Sequence, residues 1–156
     1  MTVIIERVLS KDEVREFRAL LDKAAWPEAH VSGTAGSLAR LVKKNQQLDE
    51  ADPVAADLRT RILRRLAQND QFTAYAHPLR IYPPRFNRYT DGGSYGFHSD
   101  GAMLHVANSS VVVRGDLSAT LFLSEPDEYD GGELEIETYT DTQAIKLAAG
   151  DMILYP

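Results

Sequence analysis

His98 and Asp100 stand two residues apart in the stretch Tyr95-Gly96-Phe97-His98-Ser99-Asp100. On a β-strand, residues two apart point to the same face, so an imidazole and a carboxylate would leave the backbone side by side. A neutral imidazole nitrogen and a carboxylate oxygen are two of the three donors in the facial triad that holds non-haem Fe(II) and leaves positions open for other ligands. Just upstream, Asp91-Gly92-Gly93 reads as a turn between two short strands. A His-x-Asp pair is also common where the His is simply a hydrogen-bonded surface or core residue. The pair therefore has to be read with the chain around it.

Other chemistries are excluded by composition. The chain has no cysteine, which removes disulfides, thiolate metal sites and cysteine nucleophiles. Its net charge of −6 argues against a broad nucleic-acid surface. No apolar run approaches the length needed to span a bilayer. Met1 to Glu6 lacks the basic segment and long apolar run of a signal peptide, so the expected location is cytoplasmic. At 156 residues a single domain with a real hydrophobic core is expected.

The elements that must position the pair follow from periodicity and capping. Val3 to Val8 reads as a short strand. Ser10-Lys11-Asp12-Glu13 has the form of a capping box, and Val14, Phe17, Leu20, Leu21 and Ala24 follow at helical spacing until Trp26-Pro27. Residues 28–37 read as a loop or weak hairpin. In Asn45-Gln46-Gln47 the amide side chains can order a buried hydrogen-bond network or line a pocket. Asp52-Pro53 opens a second helix, with Leu58, Ile62 and Leu66 on one face and four arginines elsewhere on it. These arginines read as interspersed surface charge. Asn69-Asp70 breaks the pattern. From Phe86 onward the chain is β, with alternation over 117–124, 133–137, 143–147 and 152–155. Residues 101–115 read as a mobile loop plus a strand at Val111 to Val113.

Four blocks carry a resemblance: Phe86 to Asp100, Asp116 to Ser124, Tyr129-Asp130-Gly131-Gly132-Glu133-Leu134, and Ala149-Gly150-Asp151-Met152-Ile153-Leu154-Tyr155-Pro156. With Lys44 to Asp49 added, the chain closely resembles the bacterial PKHD-type hydroxylases, Fe(II)- and 2-oxoglutarate-dependent dioxygenases related to prolyl 4-hydroxylases. The resemblance implies an α+β chain built on a double-stranded β-helix, or jelly roll, with N-terminal helices packed outside. It implies one domain over 1–156, with a helical part over 1–80 and the jelly-roll core over 81–156. His98 and Asp100 match the family's first two iron ligands. Tyr89 matches an aromatic residue that hydrogen-bonds a 2-oxoglutarate carboxylate.

In the family, a second His ligand and an Arg for 2-oxoglutarate follow the Leu-Tyr-Pro. His30, His77, His105 and Arg114 do not match those positions. The expectation is thus a C-terminally truncated chain with its last strands missing, inactive by itself. The implied cofactors are Fe(II) and 2-oxoglutarate, with L-ascorbate as a further candidate. The implied partners are O2 and an unknown substrate of prolyl, lysyl or small-molecule type, with no nucleic acid and no membrane; a homo-oligomer is a candidate assembly. The alternative is a non-catalytic jelly-roll binding module.

Overall fold

The structure is a computed structural model, and it describes residues 2–27, 45–90, 92–138 and 140–156. The expected loop over 28–37, the basic run at 40–44 and His30 lie outside the described residues, as does Asp91.

Ser10 starts the first helix as the capping box predicts. Its hydroxyl accepts from the Glu13 N–H at 3.2 Å, and the Glu13 carboxylate accepts from the Ser10 N–H at 2.9 Å. The helix Lys11–Leu21 (α1) buries Val14, Phe17 and Leu21. It stops short of Ala24, because Trp26 Nε1 donates to the Leu21 carbonyl at 2.8 Å and satisfies an orphan acceptor of the last turn. Asp52 caps Pro53–Ala67 (α2), its Oδ1 accepting from Val54 and Ala55 at 2.8 and 3.2 Å. The four arginines of α2 read as surface charge, and three are engaged. Arg61 pairs with Glu16 at 2.6 Å, Arg65 with Glu13 at 2.7 Å, and Arg59 donates to the Pro84 carbonyl at 3.1 Å.

A third helix, Asp70–Ala76 (α3), is present where the sequence shows only a break. The Asn69 side chain accepts from the Phe72 N–H at 2.8 Å, so the residue that ends one helix caps the next. Phe72 is buried, and His77 closes the helix at φ 38°.

The strands are Val3–Ile5 (β1), Gln46–Gln47 (β2), Asn87–Arg88 (β3), Met103–His105 (β4), Val112–Arg114 (β5), Ser118–Leu121 (β6), Leu134–Glu137 (β7), Thr142–Ile145 (β8) and Met152–Tyr155 (β9). β9 is the middle strand of an antiparallel sheet in the order β1-β9-β6. Its Met152, Ile153 and Leu154 are all buried, the pattern of a strand covered on both faces. β1 is shorter than the expected strand because Arg7, at φ 53°, turns the chain and gives its N–H to Asp151 Oδ1 at 2.8 Å. The remaining strands form pairs: β2 with β3, β4 with β5, β7 with β8. The β4–β5 hairpin replaces much of the expected loop over 101–115, in the register Leu104↔Val113.

The entry to β9 is a tight crossing. Leu9 N donates to the Gly150 carbonyl at 3.1 Å, and Gly150 N donates to the Phe122 carbonyl at 2.8 Å. Gly150 has φ +100°, and a Cβ there would lie 2.4 Å from the Leu9 carbonyl oxygen. Only glycine fits this conformation and this contact. Gly150→Ala is expected to destabilise the fold by about 3 kcal/mol, read as a lower denaturation midpoint. An unchanged midpoint would contradict the crossing.

Candidate metal centre

β6 and β9 set the floor of the site. Their register places Ser118 opposite Tyr155 and Thr120 opposite Ile153. Ser118 and Thr120 are two apart on β6, so both hydroxyls face the side that carries the Tyr155 ring. Thr120 Oγ1 and the Tyr155 hydroxyl lie 3.3 Å apart. The Ser118 hydroxyl donates to Asp100 Oδ2.

His98 and Asp100 are not on a strand, contrary to the sequence expectation; 96–100 run outside any ladder. Their side chains still converge, because other contacts hold them. The His98 ring stacks on Tyr95, with centroids 3.8 Å apart and planes 15° from parallel. His98 Nδ1 lies 2.8 Å from the Gly96 carbonyl oxygen, and Nε2 lies 3.3 Å from Asp100 Oδ1. A carbonyl oxygen can only accept, so Nδ1 carries a proton. In the neutral ring, Nε2 then presents a lone pair to a carboxylate oxygen. At 3.3 Å from the carboxylate oxygen, Nε2 is placed either to donate a proton to it as an ion pair or to share a metal ion with it. A backbone carbonyl on the other nitrogen is also the usual way a ligating His is oriented. The donor set of one imidazole nitrogen and one carboxylate suits Fe(II).

Tyr89 follows β3, on the same side as Asn87. Tyr89 is about half exposed; the partial burial of its ring raises its phenol above the usual range, and the neighbouring Tyr95 and Tyr155 add to this, while the nearby Asn45 amide opposes it. Burial also raises the Tyr155 phenol, opposed by Thr120 and reinforced by the Asp100 carboxylate. Both hydroxyls stay protonated at neutral pH and are available as donors. Tyr89, Tyr95, Tyr155, Asp100 and His98 thus form one neighbourhood on an open face, with the His98 side chain about one third exposed and Asp100 about half.

The other candidates lie elsewhere. His77 caps α3 and His105 sits on β4, where its carbonyl accepts from the Tyr82 hydroxyl at 3.3 Å; both are exposed. Arg114 pairs with Asp116 at 2.8 Å. Among the described residues, no group of three His, Cys, Asp or Glu side chains is placed to hold a metal. Ser118, Thr120, Tyr155 and Tyr95 were not singled out from sequence. The alternation of Ser118 and Thr120 with Ala119 and Leu121 carried the signal, since it leaves two hydroxyls on one face of a largely apolar strand.

Residues 84–156 match the 2OG-Fe(II) oxygenase superfamily. The whole chain is 54% identical to a PKHD-type hydroxylase of Acidovorax ebreus and 51% identical to one of Pseudoalteromonas atlantica. In both alignments it spans 68% of the relative's length. The chain belongs to the PKHD-type hydroxylase family. It is therefore a hydroxylase of the dioxygenase class whose family uses Fe(II), 2-oxoglutarate and O2. A crystal structure of a Pseudomonas putida prolyl-4-hydroxylase overlaps 99% of the chain and 79% of that protein, with a TM-score of 0.61 at 18% identity. That overlap makes the fold a jelly roll with added helices. Among the described residues no helix is long and apolar enough to cross a membrane.

Ser118 donates its hydroxyl to Asp100 Oδ2 and so orients the carboxylate for any cation held by the pair. Ser118→Ala is expected to weaken divalent-metal binding about tenfold or more, with little change in folding stability, as measured by anaerobic titration calorimetry. Equal affinities would show that the Ser118 contact does not shape the site.

Proposed function

We propose that the chain is the Fe(II)- and 2-oxoglutarate-binding part of a dioxygenase that hydroxylates a C–H bond. His98 Nε2 and the Asp100 carboxylate hold the iron. The single observation that carries this is the convergence of His98 Nε2 and an Asp100 carboxylate oxygen to 3.3 Å, with Nδ1 against the Gly96 carbonyl. Tyr89, a neutral phenol at physiological pH, donates its hydroxyl to a 2-oxoglutarate carboxylate.

Bound there, Fe(II) would couple decarboxylation of 2-oxoglutarate and reduction of O2 to hydroxylation of the substrate. The chain's own residues contribute orientation. Tyr95 holds the imidazole plane, Gly96 fixes its tautomer, and Ser118 holds the carboxylate. The face is open enough for a polypeptide segment or a small molecule to reach the iron. The fold neighbour is named a prolyl-4-hydroxylase, which favours a prolyl-type substrate among the prolyl, lysyl and small-molecule candidates. Iron must stay ferrous between turnovers, so a reducing compartment such as the cytoplasm suits the reaction.

The test is metal-dependent binding of 2-oxoglutarate by calorimetry. The unaltered chain is expected to bind 2-oxoglutarate only when a divalent metal is present. His98→Ala and Asp100→Ala should each lose that dependence while their circular dichroism and unfolding midpoints are unchanged, because both side chains are partly exposed and outside the core. Metal-dependent binding that survives both substitutions would remove the assigned roles. Succinate formation with Fe(II), O2 and L-ascorbate would rule out the alternative of a non-catalytic jelly-roll binding module.

A further inference from the structure

The side chains of β6 and β9 are apolar except for three hydroxyls, on Ser118, Thr120 and Tyr155. Ser118 and Thr120 are two apart on β6, and Tyr155 stands directly opposite Ser118 across the ladder. Residues two apart on a strand share a face, and so do directly opposed residues, so all three hydroxyls belong to one face. The Ser118 hydroxyl is used at Asp100, which fixes where that face meets the metal pair. The other two meet each other, with Thr120 Oγ1 and the Tyr155 hydroxyl 3.3 Å apart and both residues half-buried.

A hydroxyl carries one proton and two lone pairs. A bond between two hydroxyls uses one proton, and the accepting hydroxyl keeps its own for a third group. Neither hydroxyl ionises near neutral pH, so the pair is a neutral donor. Hydrogen bonds to a charged acceptor are the stronger ones, and a carboxylate is the third group that gains most from such a pair.

The distance from the metal pair selects which carboxylate. From Ser118, which holds Asp100, to Thr120, which meets Tyr155, is one two-residue step along β6, about 6.8 Å. An extended five-carbon diacid has about that reach between the oxygens of its two ends. A shorter diacid would stop before the hydroxyls, and a longer one would have to buckle.

We infer that Thr120 and Tyr155 are specificity-determining residues that hold the distal carboxylate of 2-oxoglutarate and so select a five-carbon 2-oxo diacid. This selection rests on the reading of the chain as a binder of 2-oxoglutarate at His98 and Asp100.

The test is calorimetric titration of the Mn(II)-loaded chain with three 2-oxo acids. They are 2-oxoglutarate, 2-oxoadipate, which is one carbon longer, and 2-oxopentanoate, which has the same length and no distal carboxylate. The unaltered chain should bind 2-oxoglutarate about tenfold or more tighter than either of the others. Tyr155→Phe and Thr120→Val keep the ring and the branched shape and remove one hydroxyl each. Each should weaken 2-oxoglutarate binding about tenfold, toward that of 2-oxopentanoate, and leave 2-oxopentanoate binding unchanged. Equal losses for both ligands would show that the two residues act only through the fold, and would overturn the inference. An unchanged preference for 2-oxoglutarate in both variants would place the distal carboxylate elsewhere, at Tyr89 for instance, and would overturn the inference while the co-substrate reading stands. Equal binding of 2-oxoglutarate and 2-oxoadipate by the unaltered chain would remove the length selection. Absence of metal-dependent binding of all three acids would overturn the co-substrate reading, and the selection with it.

Discussion

The antiparallel pairing of β6 with β9 is the constraint on which the rest depends. β9 sits between β1 and β6, with three consecutive residues buried. It therefore joins the N-terminal strand, the core under α1 and the site in one ladder. Its register decides which β6 hydroxyls face the Tyr155 ring, and a slip of one residue would send Ser118 and Thr120 to the other face. The Gly150 crossing holds that register, because Leu9 and Phe122 both bond to Gly150 at the start of β9.

The site built on this floor works through polarity rather than enclosure. His98 and Asp100 are partly exposed, so their mutual electrostatics are screened by water and neither is held in a deep cavity. What is fixed is direction. Gly96 takes one imidazole proton, Tyr95 holds the ring plane, and Ser118 takes one carboxylate oxygen. The remaining nitrogen lone pair and the remaining oxygen then point at the same place.

Much of this was legible in the sequence, and the failures have physical causes. The capping box at Ser10 and the Asp52-Pro53 start depend on contacts within four residues, and both read correctly. Met152 to Tyr155 reads as a strand because its apolar run has one length that fits. α3 was missed because Asn69 has two local uses, ending a helix and starting one, and only the burial of Phe72 chooses. The spacing argument for His98 and Asp100 assumed a strand that is absent, yet the two side chains do meet. Convergence came from two local contacts, to Tyr95 and Gly96, and one tertiary contact, to Ser118. The roles of Ser118 and Tyr155 depend on a cross-strand register that no local pattern specifies.

The most direct measurement of the central idea is pulsed electron paramagnetic resonance of the chain loaded with a paramagnetic divalent ion such as Mn(II). A single imidazole nitrogen coupled to the metal is expected, present in the unaltered chain and in His105→Ala and lost in His98→Ala. A nitrogen coupling that persists in His98→Ala would show that the metal is held elsewhere, and would contradict the assignment of His98 and Asp100 as the pair that holds it.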